Sequence, residues 1–122
     1  MKTGRLLNLR TREIVGEWVC KADSFWPRFH GLLGRTGLAQ GEGLWLIPCQ
    51  QVHMLGMKFA VSIWFIDSTG HVCAIIDELQ PWKISPRIRE AKSVIEFPAR
   101  WGNDTKTLPG DKLDWEEKFP LG

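Results

Sequence analysis

The sequence has no tyrosine, only three cysteines and three histidines, and no long apolar run. Each shortage excludes something. Cys20, Cys49 and Cys73 are odd in number and form no CxxC pair, which argues against a disulfide framework and leaves reduced, buried thiols as the simplest state. The longest uncharged apolar stretch runs from Phe59 to Ile66 and includes Ser62, far short of the ~20 residues a membrane-spanning helix requires. Lys2 and Arg5 give the N-terminus a basic start, but neither an apolar h-region nor a small-residue cleavage site follows. No secretory signal is therefore expected, and a cytoplasmic location is. Walker loops, GxSxG and GxGxxG are absent, and Gly41-Glu42-Gly43 is too short to cradle a phosphate. No motif calls for a cofactor.

An excess of one charge is also missing. Sixteen Lys and Arg stand against fourteen Asp and Glu, a net of +2, and the signs alternate in Lys21-Ala22-Asp23 and Arg87-Ile88-Arg89-Glu90. A nucleic-acid domain gathers its basic residues on one face. Neither nucleic acid nor a membrane is therefore expected as a partner. A protein or small-molecule partner stays open, as does the oligomeric state.

What is present is the composition of one globular domain, 1–122, with 43% apolar and 25% charged residues. Seven Trp and six Phe supply the bulk. Large aromatic side chains can fill a small β core or form a ligand platform, and core filling is the simpler reading.

Along the chain, Arg5 to Leu9 and Glu13 to Lys21 read as strands, with Ile14, Trp18 and Cys20 on one side and Gly16 as a bulge or twist point. Residues 24–34 read as a short amphipathic helix: Asp23 or Ser24 can cap it, Pro27 suits a first turn, and Phe25, Phe29, Leu32 and Leu33 recur at helical spacing. Leu44 to Ile47 is a strand ended by Pro48. Phe59 to Ile66 and His71 to Ile76 form a hairpin closed at Gly70, both arms apolar enough to be central. Leu79 to Glu90, broken by Pro81 and Pro86, is a covering loop. Ser93 to Phe97 and Lys112 to Glu116 complete the strands, with a turn at Pro109-Gly110-Asp111. The expected fold is mainly β, a compact antiparallel barrel-like or sandwich domain with one short α-helix.

Five segments in order carry a resemblance. They are Arg28-Phe29-His30-Gly31-Leu32-Leu33-Gly34-Arg35, Gly43-Leu44-Trp45-Leu46-Ile47-Pro48-Cys49 with Val52-His53-Met54 and Gly56-Met57, Phe65-Ile66-Asp67 with Gly70-His71-Val72, Lys92 to Ala99, and Pro109 to Leu113. Over about residues 5–116 the chain resembles the domain of unknown function family 192, small bacterial and archaeal proteins, and its Pro-Cys and Val-His-Met segments are similar to a non-secreted branch. The resemblance implies a compact β fold with a short helix and no particular activity. Two departures stand out. The acidic residue usual in the strand before the hairpin is replaced here by Ser62, and the usual Leu-Pro-Ala-Gly reads Phe97-Pro98-Ala99-Arg100, with glycine delayed to Gly102.

Four sets of residues could carry chemistry. Cys49 and His53 could act as nucleophile and base if a third group oriented the imidazole; a buried thiol and a backbone-bonded histidine are the simpler account. Cys49, His53, His71 and Cys73 are suitable zinc ligands but lack the short paired spacing of zinc motifs. Among the carboxylates, Asp67 and Asp111 suit turns, and Glu96, opposite in direction to Ile95, is expected in solvent. The last set is a binding groove around residues 45–57, formed by Trp45, Cys49, His53, Met54, Met57, Trp82 and Arg87, with Arg28 nearby. Met, aromatic and Arg residues are enriched at interfaces. The expected function is a non-enzymatic binding or accessory module. A small hydrolase or metal-dependent enzyme using His53 with Cys49, and a structural subunit, are the alternatives.

Overall fold

β-Branched and aromatic residues become strands at seven places in the computed structural model, which describes residues 2–22 and 35–118. They are β1 (Lys2–Asn8), β2 (Glu13–Ala22), β3 (Glu42–Leu46), β4 (Val61–Ile66), β5 (Val72–Leu79), β6 (Ser93–Pro98) and β7 (Leu113–Lys118), with one short helix, α1 (Trp101–Asp104). The helix expected at 24–34, and Arg28 within it, lie outside the described residues. The helix α1 follows Pro98, where the sequence reading placed no element.

All seven strands join one sheet in the order β5-β4-β6-β3-β2-β1-β7. Every pairing is antiparallel but one. β2 and β3 run parallel, with Trp18 opposite Glu42 and Ala22 opposite Leu46. The sheet is thus mainly antiparallel, as expected, with this one parallel pair. Parallel neighbours need a long crossover, and the chain between residues 22 and 42 supplies it. The sheet curls without closing into a barrel. Its edges meet at one end, where His71 bridges Lys112, Val72 N–H donates to the Asp111 carbonyl at 2.8 Å and Gly110 N–H to the Val72 carbonyl at 2.6 Å.

The curl gives the sheet two buried faces. Inside lie Leu6, Val15, Val19, Trp64, Ile66, Val72, Ile95, Phe97 and Leu113, flanked by Trp45, Trp101 and Trp115. Outside lie Leu44, Leu46, Val61, Ile63, Phe65, Leu79 and Val94, packed with Cys49, Val52, Met54 and Met57. β4 is therefore buried along its whole length. β5, expected to be central, is an edge strand, but residues 100–113 shield that edge and satisfy part of its backbone. In β2 the register shift opposite Gly4 and Leu6 puts Val15 and Val19 inward, while Ile14 and Trp18 stay exposed.

Most described tryptophans serve the core. Trp64 tilts against Phe97 at 4.5 Å, and its indole N–H donates to Ser62 Oγ at 3.0 Å. The Trp45 N–H reaches Ser93 Oγ at 2.8 Å and the Trp101 N–H reaches the Val15 carbonyl at 2.7 Å. At one end of the curl, the Lys21 ammonium sits 4.6 Å from the Trp45 ring and 4.4 Å from the Trp115 ring.

Both departures from the family pattern have a structural account. Ser62 Oγ donates to Asp77 Oδ1 at 2.7 Å, so a carboxylate from the adjacent strand β5 reaches the side chain that replaces the acid. The same carboxylate accepts the backbone N–H of Gly102 at 2.7 Å and of Asn103 at 2.9 Å, fixing the start of α1. At the position where glycine is usual, Arg100 adopts the left-handed region, at φ 68°. Gly102 must lack a side chain, because a Cβ there would stand 2.7 Å from Asp77 Oδ1.

Asp111 ties the other end of the sheet. It accepts Arg10 Nε at 2.6 Å, Asn8 Nδ2 at 2.9 Å and the Leu108 N–H at 2.9 Å. Hydrogen bonding from Arg10, aided by Asn8, pulls its carboxyl down to about 2.

Two stability measurements check this frame. Arg100→Gly should stabilise the protein by about 0.5–1 kcal/mol by removing left-handed strain, while Gly102→Ala should destabilise it by about 2 kcal/mol, both read by urea unfolding. The stabilisation from Asp111 is complete above its ordinary pKa of 3.8 and is lost as pH falls through about 2. Asp111→Asn should therefore flatten acid unfolding in that window and cost about 2 kcal/mol at neutral pH.

Candidate functional site

Three prolines shape the surface around the expected groove. Pro48, Pro81 and Pro86 cannot donate to a ladder, so the segments that hold them form an irregular ribbon instead of strands. The ribbon is nonetheless tightly bonded. The Cys49 N–H donates to the Lys92 carbonyl at 3.0 Å, Ile88 N–H to the Gln50 carbonyl at 2.9 Å, Ser85 N–H to the Val52 carbonyl at 2.9 Å and Met54 N–H to the Lys83 carbonyl at 2.7 Å. His53 bridges Ile84. Segments 48–58 and 80–92 thus lie side by side as a loop layer over the outer face of the sheet. The juxtaposition of the central and Pro81 loops is the one the groove reading required.

Between them runs a groove of about 510 Å3, lined by Pro48, Cys49, Gln50, Gln51, Arg87, Ala91 and Lys92. Gln50 organises it. Its amide donates to the Arg89 and Ala91 carbonyls, both at 3.0 Å, and its Oε1 accepts Arg87 Nε at 3.1 Å and Arg87 Nη2 at 2.9 Å. Gln51 is anchored likewise, donating to the Ser85 carbonyl at 2.9 Å. Arg87 is held at one edge of its guanidinium, and its other N–H groups meet no acceptor among the described residues. Neither does the Lys92 ammonium. None of the seven lining residues is acidic.

Only part of the expected residue set gathers here. Cys49 and Arg87 line the groove. Met54 and Met57 are buried in the outer cluster and serve the core. Trp45 belongs to the inner face of the sheet. Trp82 points outward at the tip of the Pro81 turn, 67% exposed. Of the expected set, residue type and loop placement named Cys49 and Arg87, which line this groove; Gln50, Gln51 and Lys92 were not named, because an amide clamp leaves no sequence signature.

The nucleophile–base pair is not assembled. The Cys49 thiol is buried and donates to the Gln51 carbonyl at 3.2 Å. The exposed His53 ring makes no hydrogen bond among the described residues, so nothing links it to the thiol. The other two zinc candidates sit at the β4–β5 hairpin, where Thr69 Oγ1 and His71 Nδ1 lie 2.8 Å apart and the Cys73 thiol donates to the Phe65 carbonyl at 3.3 Å. Among the described residues, no group of three or more His, Cys, Asp or Glu is placed to hold a metal ion.

Glu96 departs from its expected solvent position. Its side chain does lie opposite to that of Ile95, but the outer face of β6 is covered as well as the inner one. Leu44 and Ile63 flank it in register. Burial pushes its carboxyl up to about 7. The sign follows directly. Below the ordinary value of 4.5 both native and unfolded states are protonated; between 4.5 and about 7 the unfolded state releases a proton that the native state keeps, so stability falls as pH rises. Glu96→Gln should remove that slope and raise stability near pH 8 by up to about 3 kcal/mol, measured by urea unfolding from acid to alkaline pH.

Comparison with known proteins agrees with the fold and leaves the chemistry open. The family model described as Uncharacterized ACR, domain of unknown function 192, matches residues 10–115. A protein of unknown function from Novosphingobium aromaticivorans superimposes with a TM-score of 0.79 at 20% identity, covering 93% of this chain and 84% of the other. A Sinorhizobium meliloti protein provisionally named a transcription regulator has a TM-score of 0.79 at 23% identity, covering 93% of this chain and 92% of the other. At these identities the likeness shows the fold alone. No curated protein matches. The curled sheet, the closing turn at Asp111 and the family match over nearly all of its length place this chain in the domain of unknown function 192 family.

Proposed function

We propose that the protein is a binding module that takes a small oxyanion-bearing ligand, a carboxylate or a phosphate, in the groove between residues 48–51 and 87–92. The observation that carries this reading is the Gln50 clamp. Two backbone carbonyls fix the amide, the amide fixes Arg87, and the guanidinium keeps donors free for a ligand. Arginine's planar fork suits a carboxylate or phosphate edge. Lys92 adds a second cation on the same groove, and no lining acid competes. Binding is favoured over hydrolysis because His53 and Cys49 do not meet as base and nucleophile.

Amide chemical-shift titrations with sodium phosphate and sodium acetate, against sodium chloride at equal ionic strength, test this. Shifts should cluster at residues 48–51 and 87–92, and Arg87→Ala should weaken them about tenfold or more. Gln50→Ala, which keeps every charge but frees the guanidinium, should weaken them less. Shifts scattered over the surface, or unchanged by Arg87→Ala, would overturn the reading.

A further inference from the structure

We infer that the loop layer docks on an anionic membrane surface, with Trp82 as its apolar anchor and the basic side chains of the same layer as its electrostatic contact. Three observations meet here; the first two lie away from the groove, and the third shares only Arg87 and Lys92 with it.

The first is an exposed apolar tip. Trp82, Ile84 and Leu55 are 67%, 59% and 45% exposed and lie on two adjacent turns. These turns are locked together, since the Trp82 N–H donates to the Met54 carbonyl at 2.8 Å and the Met54 N–H to the Lys83 carbonyl at 2.7 Å. Met54 and Leu79 are buried, so the tip is rooted in the outer core.

The second is the backbone of Trp82. It adopts φ 69°, a left-handed conformation unfavourable for a bulky residue. The Trp82 ring has no ring, cation or hydrogen-bond partner among the described residues. Trp18, also exposed, differs: Lys118 lies 5.2 Å over its ring.

The third is segregated charge. Lys58, Lys83, Arg87, Arg89 and Lys92 stand in the layer against Glu90 alone, a net of +4 where the whole chain carries +2. Not one of these five cations is in an ion pair among the described residues. The Lys and Arg ion pairs lie elsewhere, as in Arg35–Glu42, Arg10–Asp111 and Arg5–Glu116.

A projecting tryptophan with its N–H unused, on a loop layer whose cations make no ion pair among the described residues, matches the headgroup region of an anionic bilayer. There the ring is buried, while water and lipid oxygens accept the N–H. Each cation close to such a surface adds about 1 kcal/mol. A protein partner would instead need a pocket shaped for the indole and an acceptor placed at its nitrogen. The contact is peripheral and requires no spanning segment.

Co-sedimentation with vesicles of phosphatidylcholine, with and without phosphatidylglycerol, tests the inference at low and high salt. Binding should require phosphatidylglycerol and fade at high salt. Trp82→Ala should weaken it about tenfold, and Lys58→Gln with Lys83→Gln about thirtyfold. Brominated phosphatidylcholine in the anionic vesicles should quench tryptophan fluorescence, and Trp82→Phe should abolish the quenching while retaining most of the binding. Trp18→Ala should change neither. Gln50→Ala disturbs the groove but keeps the charge of the layer, so it should leave vesicle binding intact; the two readings can thus fail separately. Absence of binding to anionic vesicles at low salt would overturn the inference, as would binding indifferent to Trp82. Trp82-dependent binding to poly-glutamate or to duplex DNA in place of vesicles would also overturn it and assign the layer to an acidic macromolecule.

Discussion

Burial of β4 on both of its faces is the constraint on which the rest of the structure depends. A strand with no polar side must have a cover on each side. The curl of the sheet supplies one, bringing Leu6, Val15, Phe97 and Leu113 around Trp64. The second is the loop layer, whose Cys49, Val52, Met54 and Met57 complete the outer cluster. The layer is therefore not a free appendage. Cys49, Val52, Met54, Met57 and Ala91 of the layer are taken up by the core, Leu55, Trp82 and Ile84 stay exposed at its tip, and Gln50, Gln51, Arg87 and Lys92 line the groove. Glu96 follows from the same constraint, because a carboxylate on a doubly covered strand is desolvated whichever way it points.

The closing segment shows how one group can serve several elements. Asp77, on an edge strand, accepts Ser62 from the neighbouring strand and two backbone N–H groups at the start of α1. The turn before it uses Arg100 in a conformation that glycine adopts at lower cost. The two family departures therefore lie around one network. Ser62 is small enough to admit the neighbouring acid, and Gly102 is bare enough to let the helix approach that acid.

Charge follows a different logic. Along the chain the signs alternate, and Arg87-Ile88-Arg89-Glu90 looks balanced. Folding separates them. Most of the paired cations lie on β1, β7 and their turns, whereas the loop layer collects unpaired ones from two stretches of sequence. Pairing Pro48–Lys58 with the Pro81–Lys92 stretch concentrates a basic surface that the modest net charge conceals.

The sequence by itself determined the strand positions, the turns at Gly70 and Gly110 and the irregular course of the two proline-broken loops, because period-2 alternation, glycine and proline act locally; that these loops lie side by side was decided by tertiary structure. It also pointed to Cys49 and Arg87 in the groove. Only tertiary structure decided which covered face each side chain met. That is why Met54 and Met57 moved from candidate ligand contacts to core, why Glu96 moved from solvent to interior, and why the β2–β3 pair turned out parallel. The Gln50 clamp and the isolation of His53 from Cys49 were equally illegible. Both depend on distances between segments some forty residues apart in sequence or on the direction of a loop, and no local pattern encodes either.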